Sequence, residues 1–586
     1  MLHIVLALSM IANLLKFFQN NLGNRRKINH ICTNMKKIYL LAAIAALSFA
    51  INASAEDFLK GKLLTINLKE SVAERGDKSF DLSLGGLSRS SSVSLLSLER
   101  ALEKASEDKD IAMVYINTDH FSSGMAAMEE IRGILSKLKK PVVAYGTDFG
   151  NGSYYLASAA DKVFMNPEGE CGINGLSSTQ FFVKDLLDTL GVDIQLIRHG
   201  KFKSAGEMYI RNDISPENRL QYEELLGSIW GSFLEEIASS RGISEKDLRS
   251  WIDGLQLATA EDMLEKGLVD GLKHRDEMAK YLCHMFGVKE ASDVRKISIS
   301  EYASDLEKGP SSKKIAVLYA DREIVRSGSG IAGEKFSKEI AKVRADSTVK
   351  AVVFRVNSPG GEVVAAEMIR REIELLMKDK PVVASYGGYA ASGGYLISAA
   401  CNRIFTDNAT LTGSIGVFGM VPSLGRAMRK TVHVNPVTIG TNEHSTMGSG
   451  MKPLSKEEQA WYQEKIEGIY DSFVSTVAEG RSMTKEAVDS LAQGRVWSGK
   501  DALENGLADE RGNLMDAVRY AANLAGLKKY RIETYPVKKE MSESLMEMLS
   551  GKEPKDDDLV KSLVKSYFAP GFHTIARMPE IKINNK

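Results

Sequence analysis

Cysteine is scarce in this chain, four in 586 residues, and no two of the four form a CxxC pair. An HExxH helix and an EF-hand loop are missing as well, so the sequence supports no metal site, and it implies no cofactor. Three cysteines follow residue 55, Cys171, Cys283 and Cys401. An odd number cannot all pair within one chain, and they read as core or boundary thiols. A body this large needs no disulfide framework. Net charge is also missing: 76 basic residues balance 76 acidic ones, and the basic residues are scattered. That pattern leaves no footprint for nucleic acid and no pull toward anionic lipid. The acidic run Asp556–Asp558 has lysines nearby and reads as solvated surface. The apolar run from Ile38 to Ile51 is shorter than the ~20 residues a membrane span needs.

The chain does contain an internal repeat. At 586 residues it is too long for one core. Length alone would allow about four domains. Lys-Pro-Val-Val-Ala at 140–144 recurs at 380–384, 240 residues on. Ile111 to Asn117 matches Ala351 to Asn357, and Tyr155 to Ala160 matches Tyr395 to Ala400, at the same offset. Leu264 to Leu268 matches Leu503 to Leu507, offset by 239. The period is too long for a solenoid and reads as two tandem copies of one domain. Short Val/Ile-rich strands alternate with amphipathic helices such as Met125 to Leu138 and Val364 to Met377. The expected class is α/β with parallel sheets and flanking helices.

The stretch 387–395, Gly-Gly-Tyr-Ala-Ala-Ser-Gly-Gly-Tyr, is where chemistry is expected. It follows a strand-like run, Pro381 to Ser385, and leads into a helix-like one, Tyr395 to Ala400. A serine at a helix mouth, flanked by glycines, is placed for nucleophilic attack. The plain alternative is a tight turn that needs glycine. The two copies differ here. Ser392 maps to Gly152, and Gly360 and Gly361 map to His120 and Phe121. Lys203, in the other direction, maps to Glu443. One copy keeps a serine and glycines, the other a lysine, which points to a composite site shared between them. For Lys203 the plain alternative is a solvated surface lysine.

Four motifs carry a family resemblance: Pro-Gly-Gly (359–361), Ala-Ala-Ser-Gly-Gly-Tyr (390–395), Leu-Thr-Gly-Ser-Ile-Gly (411–416) and Phe-Lys-Ser-Ala (202–205). In order and spacing, over roughly residues 60–585, the chain resembles the long, tandem-repeat form of signal peptide peptidase A. The resemblance implies an α/β tandem of two ClpP/crotonase-like domains and a serine protease with a Ser/Lys dyad. It assigns Ser392 as nucleophile, Lys203 as general base, Ser414 as the residue that orients the lysine, and the Gly360 and Gly361 amides as the oxyanion hole. It further implies peptide substrates, namely cleaved signal peptides, and a bowl-shaped homotetramer in the cell envelope. A lysine serves as base only when neutral, so its unperturbed pKa of about 10.4 has to fall by burial. Gly200, Phe202, Ala205 and Met208 suit such a partly apolar setting.

Other patterns compete. The first histidine after Ser392 is His433, and Gly416 to Pro422 holds none, which disfavours a Ser-His-Asp triad. His199 reads as a polar loop residue. Gly328 to Gly333 fits GxGxxG after the strand-like Lys314 to Tyr319, but Asp321 to Ser327 intervenes and the next strand ends in Asn357. That spoils a dinucleotide turn and leaves a flexible loop over the substrate groove. Two rival functions share the expected fold: a crotonase-like acyl-thioester enzyme and a non-catalytic peptide-binding protein.

Met35-Lys36-Lys37, the apolar run and Ala53-Ser54-Ala55 together read as a secretory signal peptide. The expected organisation is 1–34 a mis-assigned start or extension, 35–55 a signal peptide or membrane anchor, 56–308 the repeat with the lysine, 309–535 the repeat with the serine, and 536–586 a tail. Polar Lys308 to Lys314 reads as the linker. Export to the periplasm follows, with anchoring in the inner membrane left open.

Overall fold

The computed structural model describes residues 58–537, except 69–71, 77, 84–85, 92, 120–122, 305 and 307–310, together with 573–579, 581 and 583. The expected extension and signal segment, most of the tail, the start of the linker, and His120 and Phe121 lie outside the described residues. Residues from 60–283 and from 290 onward form one compact unit, which therefore contains both repeats. In the other, small unit, Leu59 N donates to Met285 O at 2.9 Å.

Each repeat builds a sheet, wholly parallel in the first and parallel but for the pairing of Leu411–Gly413 with Val496–Ser498 in the second. In the first the strand order is Gly271–Leu272, Lys162–Met165, Val142–Gly146, Ile111–Asn117, Lys62–Asn67, Lys296–Ser298. In the second, Val382–Ala391, Val349–Ser358, Lys314–Asp321 and Arg531–Tyr535 repeat that order. Helices cover both faces, so these strands read as near-continuous apolar runs. Val352, Val353 and Phe354 in the second sheet are fully buried, each adding about 1.5–3 kcal/mol.

The repeat extends to the longest helices, Pro216–Arg241 and Lys456–Arg481, 26 residues each. Ser215 caps the first by accepting from Asn218 N, with proline in the first turn and Gly242 closing it in the left-handed region. Ser455 and Glu458 form a capping box on the second. The helix expected at Tyr395 to Ala400 is instead a single turn, Gly393–Leu396, followed by turns. Among the described residues no helix is long and apolar enough to cross a membrane.

A third sheet joins the repeats. Its order is Asp193–Arg198, Phe418–Ser423, His573–Arg577, Gly360–Glu362, Ile324–Val325, Ile331–Ala332. Asp193–Arg198 comes from the first repeat and pairs antiparallel with Phe418–Ser423 of the second. The core is shared as well: Ala391, Ala409, Leu411 and Val496 pack into the first repeat's cluster. The glycine-rich stretch 328–333 differs from the expected loop. Ile331–Ala332 pairs with Ile324–Val325, and Gly333 opens the helix Gly333–Ala345.

Candidate active site

Ser392 sits between the strand Val382–Ala391 and the one-turn helix Gly393–Leu396. Its backbone lies at φ 55°, ψ −117°, a conformation that costs a non-glycine residue about 1–3 kcal/mol. The surroundings hold it there: Ser392 N donates to Gly413 O at 2.7 Å. This sharp strand-to-helix turn resembles the nucleophile elbow of α/β-hydrolases.

Lys203 reaches the serine from the first repeat. Its loop leaves the strand Asp193–Arg198 and is clamped by the second repeat. Phe202 N donates to Gln493 O at 2.9 Å, and Arg198 Nη1 donates to Lys203 O at 2.6 Å. Gly494 makes the close approach feasible: a Cβ there would lie 2.6 Å from the Lys203 N and Cβ atoms. Lys203 is wholly buried, with its Nζ 2.9 Å from Ser392 Oγ, 3.0 Å from Ser414 Oγ and 3.0 Å from Ser414 O. Burial alone drives the Lys203 ammonium well below the usual lysine range, with no carboxylate to oppose it. The neutral amine matches its three neighbours, with two N–H groups for Ser414 and a lone pair for the Ser392 hydroxyl.

The two expected oxyanion glycines differ in surroundings. Gly360 N donates to Ser358 Oγ at 3.2 Å and is thereby engaged. Gly361 is the neighbour on the same strand, φ 156°, and a Cβ at Gly393 would come within 3.3 Å of its amide nitrogen. Gly361 and Gly393 therefore bring two amides close together at the serine. Gly393 lies inside the motif 390–395 and Ser358 immediately precedes Pro359-Gly360-Gly361, but neither carries a role in the sequence reading. His199 faces Glu467, with Nδ1 2.5 Å from Oε2, and stacks on Tyr470. The first repeat's counterpart of the elbow starts the helix Asn151–Ala157. There Asn151, one residue before Gly152, accepts through Oδ1 from Asn174 N at 3.1 Å and Gly175 N at 3.2 Å.

Leu396, whose N–H donates to Ser392 O at 2.9 Å, lines a cavity of about 320 Å³ together with Val363, Val417, Ile469 and Phe473, with Glu367 and Lys465 also on its lining. Among the described residues, Glu443, His444 and Glu457 could bring three ligand atoms within 4.8 Å of one another. All three are exposed, and His444 Nδ1 already faces Glu458 at 3.3 Å.

The profile of peptidase family S49 matches residues 135–289 and again 374–528, so Lys203 and Ser392 fall in separate matches. Protease 4 of Haemophilus influenzae is 33% identical over 511 residues, 83% of this chain and 83% of its own. Protease 4 of Salmonella typhi is 36% identical over 476 residues, 78% of this chain and 76% of its own. The chloroplastic serine protease SPPA of Arabidopsis thaliana is 31% identical over 507 residues, 84% of this chain and 73% of its own. Among solved structures, a ClpP1 mutant from Listeria monocytogenes matches 35% of this chain and 95% of its own, at 16% identity and a TM-score of 0.24.

Proposed function

The chain belongs to peptidase family S49, with the family domain present twice, and from that premise we propose that it is an endopeptidase cutting apolar peptides with a Ser392/Lys203 dyad drawn from both repeats. The observation that carries this reading is the buried Lys203 amine 2.9 Å from Ser392 Oγ. A neutral amine takes the serine proton as Oγ attacks the peptide carbonyl. Ser414, through its hydroxyl and its carbonyl, holds the amine on line. The Gly361 and Gly393 amides receive the oxyanion, each such donor being worth about 2.7–4 kcal/mol. The lysine then passes the proton to the leaving amine, and water releases the acyl group. Gly360 serves this hole by shape, since a side chain there would collide with the backbone opposite.

The apolar cavity supports apolar residues before the scissile bond. Released signal peptides are the proposed substrates, the cell envelope the proposed site of action and a homotetramer the proposed assembly, all three resting on the family resemblance. The test is hydrolysis of a fluorogenic peptide with leucine before the cut by the full chain, beside Ser392→Ala and Lys203→Ala. Loss of at least about 10³-fold in both, with circular dichroism unchanged, is expected. Activity surviving Lys203→Ala would contradict the dyad.

A further inference from the structure

The loop that carries Lys203 rests on a turn of the second repeat, Gln493-Gly494-Arg495, and backbone hydrogen bonds fasten that turn to the site. Phe202 N donates to Gln493 O at 2.9 Å, Gly494 N to Ile415 O at 2.8 Å, and Ser414 N to Arg495 O at 2.6 Å. Consecutive residues thus seat both the lysine loop and the segment that carries Ser414. The fit is close: a Cβ on Gly416 would lie 2.8 Å from Gly494 Cα and 3.2 Å from Lys203 Cδ. A displaced turn therefore moves the lysine amine relative to Ser392.

Backbone strain works against this turn. Gln493 has φ 54° and Ser414 φ 49°, in the left-handed region that residues with a side chain seldom adopt. Tyr470, on the helix Lys456–Arg481, opposes the strain at Gln493. Its hydroxyl accepts from Gln493 N and Gln493 Nε2, both at 3.3 Å, and donates to Asp489 Oδ1 at 2.5 Å. Gln493 Nε2 also donates to Asp489 Oδ1 at 2.7 Å. The single O–H and both lone pairs of the tyrosine are thereby used. Burial, and then the hydrogen bond to Asp489, pushes the phenol pKa up, so the hydroxyl keeps its proton while the lysine titrates. The same ring stacks on His199, where the lysine loop begins, with centroids 3.7 Å apart. Tyr470 thus grips one loop twice, at residue 199 through its ring and at residue 202 through Gln493. Packing alone would call for the ring and not for the hydroxyl.

Resting on the dyad proposed above, we propose that Tyr470 is a positioning residue for Lys203: through Gln493, its hydroxyl fixes the turn that aims the lysine amine at Ser392. It holds the base and not the substrate, so its loss should appear in kcat and not in KM.

Tyr470→Phe keeps the ring and its stack and removes only the hydroxyl. In the full chain, with the fluorogenic peptide, kcat should fall about 10- to 10²-fold at unchanged KM, the size of a small misplacement of a catalytic group. The rising limb of kcat/KM against pH should move to higher pH, because a loosened loop lets water reach the amine. Tyr154→Phe deletes a buried hydroxyl that donates to Leu268 O at 2.6 Å in the first repeat, and should lower the melting temperature without moving that limb. Labelling of Ser392 by a fluorophosphonate completes the test: Tyr470→Phe should slow it in the wild-type background and add nothing in Lys203→Met. Asp489→Leu takes away the hydroxyl's acceptor and is read in the same way should Tyr470→Phe not fold. Wild-type kcat and pH limb in Tyr470→Phe, beside an inactive Lys203→Met, would overturn this role and leave the dyad standing. Full activity in Lys203→Met would overturn the dyad and this role with it. Equal slowing of labelling in both backgrounds would overturn the role too, since the hydroxyl would then act without the lysine.

Discussion

Arg355 Nη2 donates to Glu130 Oε1 at 2.6 Å, and solvent reaches neither side chain. The pair crosses from one repeat to the other. Arg355 also donates to Glu74 through Nε and Nη2 at 2.8 Å, and through Nη1 to Ser385 Oγ and Tyr386 O. All five guanidinium N–H groups thus have acceptors. Burial opposes the charge, but Glu130 and Glu74 outweigh it and hold the guanidinium pKa well above its usual value. Arg355 stands on the strand Val349–Ser358 that leads into Gly360 and Gly361, so this cluster ties that strand to the first repeat. Arg355→Met should cost about 3–5 kcal/mol, because it leaves buried carboxylates uncompensated. Thermal unfolding checks this, and adding Glu130→Gln should recover part of the loss.

The second prediction concerns pH. An unfolded lysine titrates near 10.4, whereas burial holds Lys203 well below that. Between the two values the unfolded chain binds one more proton than the folded one, so this group makes stability rise with pH. Lys203→Met removes that contribution. The variant should melt higher than wild type at neutral pH, with the gain shrinking toward pH 10, and should be inactive. The proposed dyad uses the neutral amine as base, so kcat/KM should rise with pH through the lowered lysine value and stay high at alkaline pH.

Much of the α/β plan was legible because Val/Ile-rich strands and amphipathic helices repeat at one offset. Opposite losses at Gly152 and Glu443 pointed to one shared site, and the structure sets Lys203 and Ser392 side by side. Less visible was what seats them. Gln493 and Gly494 clamp the lysine loop from far down the chain, with no local pattern to show it. The Ala-rich run after Tyr395 looked helical, yet the chain turns after Leu396. Gly360 looked equivalent to Gly361 until the Ser358 hydroxyl claimed its amide. The tail could not be placed, since His573–Arg577 is too short to signal a strand and its partners are distant in sequence.

The cavity gives a third prediction. Gly468 lines it from the helix Lys456–Arg481, and a Cβ there meets nothing within 4 Å. Gly468→Val should therefore fold and fill part of the space. Cleavage after leucine or phenylalanine should fall by about 10-fold or more relative to cleavage after alanine, as pocket contacts of a methylene or two allow. Steady-state kcat/KM values for a matched peptide series measure it.

Backbone strain at Ser392 gives a fourth. Alanine inherits φ 55°, whereas glycine tolerates it. Ser392→Gly should be more stable than Ser392→Ala by about 1 kcal/mol, the size of such a strain cost at its low end. Paired thermal melts at one pH decide it.

The central claim is that Lys203 of one repeat activates Ser392 of the other. The most direct measurement is covalent labelling of the full chain by a fluorophosphonate at neutral pH, read by peptide mass spectrometry. The dyad predicts one label, on Ser392, in wild type, and at least about 10³-fold slower labelling in folded Lys203→Met. Equal labelling of Ser392 in that variant, or labelling of a different serine in wild type, would contradict it.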